Sequence, residues 1–252
     1  MRKLATMLLT ASVLAAGGAG AGYAQEKLKS VSWPQAGFFG TFDQAALQRG
    51  FQIYQNVCQN CHSLKYLAFR NLEALGYNED QVKAIAAQYT VTDGPNDQGE
   101  MFQRPGRPSD HKPGPFKNEQ EARANNGGAL PPDLSLIIKA REGHEDYVYS
   151  ILTGYAEAPA DVKVPDGMYY NEYFPGHFIA MPPPLQDNTV TYEDGTKATL
   201  DQEARDIVQF LTWMSEPMLE QRKQTGVKAI LFLVVMTGLF LAYKRRIWAD
   251  VH

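Results

Sequence analysis

A mainly α-helical exported domain with long inserted loops, followed by one membrane-crossing helix, is the fold class that this 252-residue sequence predicts. Three observations lead there. Two amphipathic segments with helix-start signals lie near the two ends of the polar part, a Gly-, Pro- and Asn-rich stretch separates them, and an apolar run closes the chain. The composition, 44% hydrophobic and 21% charged, is ordinary for a globular chain of one or two domains, so these local patterns carry the reading.

The chain opens with MRKLATMLLTASVLAAGGAGAGYAQ. Arg2 and Lys3 form a basic start, residues 4–16 a short apolar core, and Gly22, Tyr23 and Ala24 a small-residue pattern, which together read as a secretory signal peptide cut after Ala24. The apolar part falls short of the roughly 17–25 residues that a crossing helix needs, and the glycines behind it would break a helix. Near the other end, residues 227–243 are apolar apart from Lys228, which lies close enough to one end to snorkel. Lys244, Arg245 and Arg246 follow, with Trp248 as an interfacial anchor, so the positive-inside rule puts the C-terminus in the cytoplasm. The cleaved signal requires the same orientation. The expected organisation is a signal peptide (1–24), a periplasmic domain (25–221), an anchor helix with its flanks (222–248) and a cytoplasmic tail (249–252), in a bacterial inner membrane.

A net charge of −4, from 24 basic and 28 acidic residues, with no basic block away from the membrane flanks, argues against a nucleic-acid partner.

The only two cysteines, Cys58 and Cys61, sit in NVCQNCHSL with His62 directly after them. Three residues apart, they are too close to staple a domain usefully, and His62 is badly spaced to complete a zinc tetrahedron with them. No βαβ pattern surrounds them as a thioredoxin-like redox pair would require. CxxCH is instead the attachment signature of a c-type haem: two thiols bond the haem vinyl groups, and the following imidazole reaches the iron. The predicted cofactor is one covalently bound haem c.

The segment TFDQAALQRGFQIYQNVCQNCH predicts a helix that delivers this motif, with Thr41 and Gln44 as a capping box and Gly50, Tyr54 and Cys58 on one face. TLDQEARDIVQFLTWMSEP repeats the device: Thr199 and Gln202 cap it, Ala204, Ile207, Val208, Leu211 and Met214 form a stripe, and Pro217 stops it. The absent side chain of Gly50 would let the two helices cross closely.

Iron held by His62 has one further axial position. Met181, in FPGHFIAMPPPLQD, stands on a strap stiffened by three prolines, and a thioether favours reduced iron. His177, Met168 and Met101 remain alternatives at this point. In the long interval between His62 and Met181, residues 72–88 have helical character and residues 92–128 read as surface loop. ALPPDLSLIIKAREGHEDYVYSILTGY predicts two helices, the first opened by Pro131, Pro132 and Asp133. Arg141 and Tyr147 on it are candidates to pair a buried propionate. Asp194-Gly195 predicts a turn, with a small hairpin around it.

These residues resemble a known family. VCQNCHSL, TDGPNDQGEMFQRPG, the ALPPDLSL segment, YYNEYFPGHFIAMPPPL, YEDGTKAT and the anchor helix are together similar to the cytochrome c1 family, the haem c subunits of cytochrome bc1 complexes, across about residues 35–248. The resemblance implies that Cys58 and Cys61 bind haem, that His62 and Met181 are its axial ligands, that Pro131 and Pro132 back the histidine, and that Arg141 and Tyr147 lie by a propionate. It implies an electron-transfer subunit of a quinol–cytochrome c oxidoreductase rather than a catalyst by itself. Its partners would be cytochrome b, a Rieske iron–sulfur protein and a soluble cytochrome c acceptor, in a dimeric complex. Some bacterial relatives carry a further disulfide near the methionine; this chain, with two cysteines in all, does not.

Other classes are an anchored cytochrome c acting alone or within a terminal oxidase, a haem enzyme with an open distal site, and a haem-based sensor. Glu79, Asp80, Asp93, Asp97 and Glu100 cluster in the inserted part and suggest an acidic docking face for a basic partner.

Overall fold

Asp43, rather than Thr41, starts the first helix. Its carboxylate accepts from the backbone N–H groups of Ala45 (3.0 Å) and Ala46 (3.4 Å), so α1 runs Gln44–Asn56 and Gln44 is its first residue rather than the third of a capping box. This computed structural model describes residues 27–250; the expected signal peptide and the last two residues of the expected tail lie outside the described residues.

Beyond α1, Cys58–Asn60 form one 3-10 turn, so Cys58 leaves the helical row that Gly50 and Tyr54 share. The helical stretch expected over 72–88 comes as two pieces. A 3-10 helix, Phe69–Leu75, stops at Gly76 in the left-handed region (φ +94°), and α2, Glu79–Ala87, restarts under a reciprocal Asn78/Gln81 cap. The expected loop over 92–128 carries more structure than its composition suggests. Strand β1 (Thr90–Asp93) pairs antiparallel with β2 (Phe102–Pro105), Thr90 opposite Pro105, and α3 spans Glu119–Asn125. Arg104 fastens this hairpin by pairing with both Asp93 and Asp110.

Of the two helices expected across ALPPDLSLIIKAREGHEDYVYSILTGY, only the second forms, as α4, His144–Thr153. Asp133 caps no helix; its carboxylate accepts from Ser63 Oγ (2.7 Å), Lys65 N (2.9 Å) and Ser135 N (2.9 Å), which ties residues 133–135 to the chain just after His62. The two-residue strands β3 (Tyr169–Tyr170) and β4 (Phe178–Ile179) pair antiparallel. Gly195 makes the expected turn at φ +76°, without a hairpin around it. Helix α5, Leu200–Ser215, starts at Thr199, whose hydroxyl accepts from Gln202 N (3.2 Å), and ends before Pro217. Helix α6 then runs Leu219–Ile247.

The core sits where α1 crosses α5. A Cβ on Gly50 would lie 2.6 Å from Phe210 Cβ and closer still to the Asp206 carbonyl oxygen, so only glycine permits this approach. Phe51 packs on Phe210 (centroids 5.6 Å apart), and Phe210 on Trp213 (5.9 Å). Full burial of Phe51, Ile207 and Phe210 stabilises the fold by about 1.5–3 kcal/mol each. All five residues of the predicted α5 stripe are buried, and so is most of its other surface, because α4 packs on that helix too. Arg49 locks the crossing: Nε and Nη2 hold Asp206, which is fully buried, at 2.8 and 3.0 Å, while Nη1 reaches Asp194 at 2.8 Å. Among the described residues α6 is the one helix long and apolar enough to cross a membrane, with a mean hydropathy of 2.1 and no burial in its apolar window. Its 29 residues make about 44 Å of helix, against a hydrocarbon core of about 30 Å.

Candidate functional site

The end of α1 sets the geometry of the cysteine turn. Cys61 N and His62 N both donate to the Cys58 carbonyl (3.2 and 2.9 Å), which folds the two thiols and the imidazole into one tight turn. Cys58 is half-buried at the edge of the core, Cys61 is exposed, and both are free thiols. Tyr54, one turn back on α1, donates its phenol proton to the His62 carbonyl (2.9 Å). Burial pushes the Cys58 thiol up to about 12.

Across the chain, His62 Nδ1 lies 2.8 Å from the Pro132 carbonyl oxygen. A carbonyl only accepts, so Nδ1 carries the proton and Nε2 keeps its lone pair. Burial holds His62 below its ordinary pKa, which favours the neutral imidazole. Pro132 is steadied by its neighbour Asp133 through the bonds to Ser63 and Lys65. Pro131 is half-buried beside it.

Met181 is half-buried and packs against the small cluster of Ile151, Tyr173 and Ile179, apart from the main core. Tyr155, just beyond α4, donates to the Met181 carbonyl (2.9 Å), so the proline strap is tied to the end of α4. Tyr155 and Leu185, four residues past Met181, also line an open cleft of about 490 Å³. Of the alternatives, Met101 and Met168 are exposed on the surface, and His177 stacks on Tyr170 (5.5 Å) in a left-handed turn (φ 64°). Arg141 and Tyr147 lie near each other at the start of α4, where the guanidinium opposes the upward push of burial on the phenol's pKa.

The residues present fit a covalently held haem. Two free thiols and a half-buried imidazole with one lone pair open leave the same turn, and the set cannot cage a bare metal ion, since among the described residues no three of His, Cys, Asp or Glu cluster for that. Leu130 and Leu136, on either side of the Pro131–Ser135 segment, are exposed apolar side chains (37% and 44%), as a flat hydrophobic cofactor would require of its bed.

The acidic residues of the insert are partly spent. Glu79 and Asp80 flank Lys83 (2.7 and 3.8 Å), and Asp93 pairs with Arg104. Asp97 and Glu100 lie exposed in the β1–β2 loop. Tyr54, Asp133 and Tyr155 support the site in ways that sequence reasoning misses. For Asp133 a signal exists, an acceptor beside a Pro-Pro pair, but the same pattern also describes a helix cap. For Tyr54 the signal is its place on the face of Gly50 and Cys58, which locates the side chain but not its bond to the His62 carbonyl; for Tyr155 no local signal exists.

Residues 33–251 match the family model described as the Cytochrome C1 family. "Cytochrome c1" of Rhodospirillum rubrum is 49% identical over 256 residues, covering 95% of this chain and 94% of the relative. "Cytochrome c1, heme protein, mitochondrial" of Schizosaccharomyces pombe is 49% identical over 219 residues, 87% of this chain and 71% of the relative. "Cytochrome b-c1 complex catalytic subunit, mitochondrial" of Candida albicans is 49% identical over 221 residues, 87% of this chain and 77% of the relative.

Proposed function

Because the chain belongs to the cytochrome c1 family, we propose that it is the haem-bearing subunit of a membrane bc1 complex, passing single electrons from a Rieske iron–sulfur protein to a soluble cytochrome c. The observation that carries this reading is the held imidazole, His62 Nδ1 on the Pro132 carbonyl, in the same turn as two free thiols.

When bound, a c-type haem supplies an iron that takes up and releases one electron at a time. The chain's residues do the rest. Cys58 and Cys61 would hold the group covalently, and His62, with its tautomer set by Pro132, would offer Nε2 to the iron. Met181 would offer its thioether as well, from a strap fixed by Tyr155 and three prolines, and a thioether would favour the reduced state. Arg141, with Tyr147 beside it, pairs a propionate that would otherwise be an uncompensated buried charge. Helix α6 anchors the domain beside cytochrome b, with Lys244, Arg245 and Arg246 on the cytoplasmic side and the haem domain in the periplasm, in a dimeric complex. With both His62 and Met181 holding the iron, the chain would act as an electron carrier rather than as a haem enzyme or sensor.

Expression of the full chain with a c-type maturation system, followed by affinity purification from native membranes, tests this. Expected are a covalent haem on denaturing gels, a reduced spectrum insensitive to carbon monoxide, and copurifying b-type haem and iron–sulfur protein. Covalent haem without any b-type partner would favour the anchored carrier acting alone, and a chain that binds carbon monoxide readily would overturn the two-ligand assignment.

A further inference from the structure

Lys112 is 5% exposed. Burial lowers the pKa of its ammonium to about 8. Its Nζ lies over two aromatic faces, 5.0 Å from the ring centre of Tyr54 and 4.6 Å from that of Tyr89. Both rings also support the cysteine turn through their hydroxyls. Tyr54 donates to the His62 carbonyl (2.9 Å) and Tyr89 to Gln59 Oε1 (2.9 Å), a residue between the two cysteines. Lys112 N in turn donates to the Leu67 carbonyl (2.8 Å), which holds this lysine against the segment that leaves the turn.

The fold gains little from this arrangement. Taking an ammonium out of water costs more than the attraction of two ring faces returns. A methionine of the same reach would fill the site without that cost. What the lysine adds is a fixed positive charge in a water-poor place, where charges act over longer distances than at the surface.

We propose that Lys112 is an electrostatic tuning residue: its charge, held on Tyr54 and Tyr89 against the Cys58–His62 turn, favours the reduced form of the group held there and raises its reduction potential. The inference rests on the haem reading above. One electron entering that group lowers its charge by one, and a nearby fixed cation stabilises the more negative state. Lys112 acts through the field and through the two tyrosines, not as a ligand.

The test uses the full-length haem-loaded chain in lipid nanodiscs, with Lys112→Met and Lys112→Arg compared to the parent. Potentiometric titration should give a lower midpoint for Lys112→Met and a near-parental one for Lys112→Arg, while thermal unfolding of Lys112→Met should occur at the parental temperature or above. An unchanged midpoint in Lys112→Met overturns the proposal, as does an equal fall in Lys112→Arg. A Lys112→Met chain that loses haem or unfolds at lower temperature also overturns it, since the lysine would then be a structural requirement. A parent chain without covalent haem would sink the haem reading itself, an outcome separable from all of these.

Discussion

His62 and Pro132, 70 positions apart, meet in one contact: the imidazole Nδ1 stands 2.8 Å from the proline carbonyl oxygen. Proline has no N–H of its own, and the acceptor is therefore held in place by its neighbour. Asp133 does this with three accepted hydrogen bonds, from Ser63, Lys65 and Ser135, of which two come from the segment just after His62. The ring orientation is thus set by a loop closed on itself from both sides.

Asp133→Ala should loosen that closure. It leaves the buried N–H of Ser135, the exposed N–H of Lys65 and the Ser63 hydroxyl without their acceptor, at a cost of about 1–3 kcal/mol that falls mainly on Ser135. Urea unfolding of the full chain in detergent should register the loss, and the haem-loaded form should show a broadened, shifted Soret band. Asp133→Asn, which keeps two of the acceptor roles, should fall between. Parental stability in Asp133→Ala would mean that Pro132 is positioned by other contacts.

Met181→Leu should lower the midpoint sharply and open the iron to carbon monoxide, because the isosteric side chain fills the same cluster of Ile151, Tyr173 and Ile179 but offers no sulfur. Met168→Leu, on the exposed surface, should do neither. Redox titration and carbon monoxide difference spectra of the two variants decide between these positions.

Gly50→Ala should be among the most damaging small changes in the chain. The added methyl would overlap the Asp206 carbonyl and the Phe210 Cβ at 2.6 Å, backbone and rigid core rather than a flexible tip. Overpacking of this kind costs about 1–3 kcal/mol or more. The gain in helix propensity, about 1 kcal/mol, does not offset it. Separation of α1 from α5 should appear as faster hydrogen exchange along both helices.

That crossing is legible in the sequence because a glycine inside an amphipathic helix weakens the helix and earns its place where a neighbour must come close. Thr199 is legible because one cap candidate precedes a clean stripe. Asp43 is harder to find, since Thr41 and Asp43 lie two positions apart and only the local backbone decides between them. The helix expected after Pro131 fails for a reason that no window of residues contains: the cap side chain finds better partners in Ser63 and Lys65, about one quarter of the chain away. Tyr155 and Lys112 carry no pattern at all, since an isolated tyrosine or lysine in a loop has a surface reading until its neighbours in space are known. The covalent haem motif is the opposite case, since its three side chains leave a single turn and need no tertiary partner to be recognised.

Glu203 gives a pH dependence of definite sign. The residue is fully buried on α5; one carboxylate oxygen accepts from Val190 N (3.0 Å) and the other has no hydrogen-bond partner among the described residues. Burial raises its pKa above the ordinary 4.5. A folded-state pKa above the unfolded one means that the folded chain binds this proton more tightly. The charged form therefore weakens the fold at neutral pH, and the penalty is relieved as pH falls through the raised pKa toward 4.5. Glu203→Gln should unfold at higher temperature than the parent at pH 7, with the difference shrinking as pH approaches 5. A constant difference across that range would assign the effect to packing rather than to charge.

The boundary between domain and anchor can be located by truncation. The expected end of the haem domain, near Gln221, cuts inside a set of contacts. Glu220 accepts from Phe42 N (2.7 Å), and Lys223 donates to the carbonyls of Gln35 (2.6 Å) and Gly40 (3.0 Å), so the first turn and a half of α6 ties down the segment that leads into α1. Leu219 is buried, whereas the apolar residues from Ile230 onward are exposed apart from half-buried Met236. A chain ending at Gly226 keeps every one of these contacts and should mature as a soluble haem protein with the spectrum and unfolding temperature of the full chain. A chain ending at Gln221 loses the two charge-assisted bonds of Lys223, about 1.5–3 kcal/mol at most and less for a part-exposed pair. It should still bind haem but unfold several degrees lower, at about 2–4 °C per kcal/mol for a chain of this size. Turnover with membrane partners should collapse in both, because the tether that replaces diffusion with a high local concentration is gone. Detergent-free fractionation, haem content and thermal unfolding of the two truncations separate the possibilities. Insolubility or haem loss in the Gly226 form would make the apolar stretch of α6 part of the fold rather than an anchor, and equal unfolding temperatures in the two forms would leave Lys223 without a structural role.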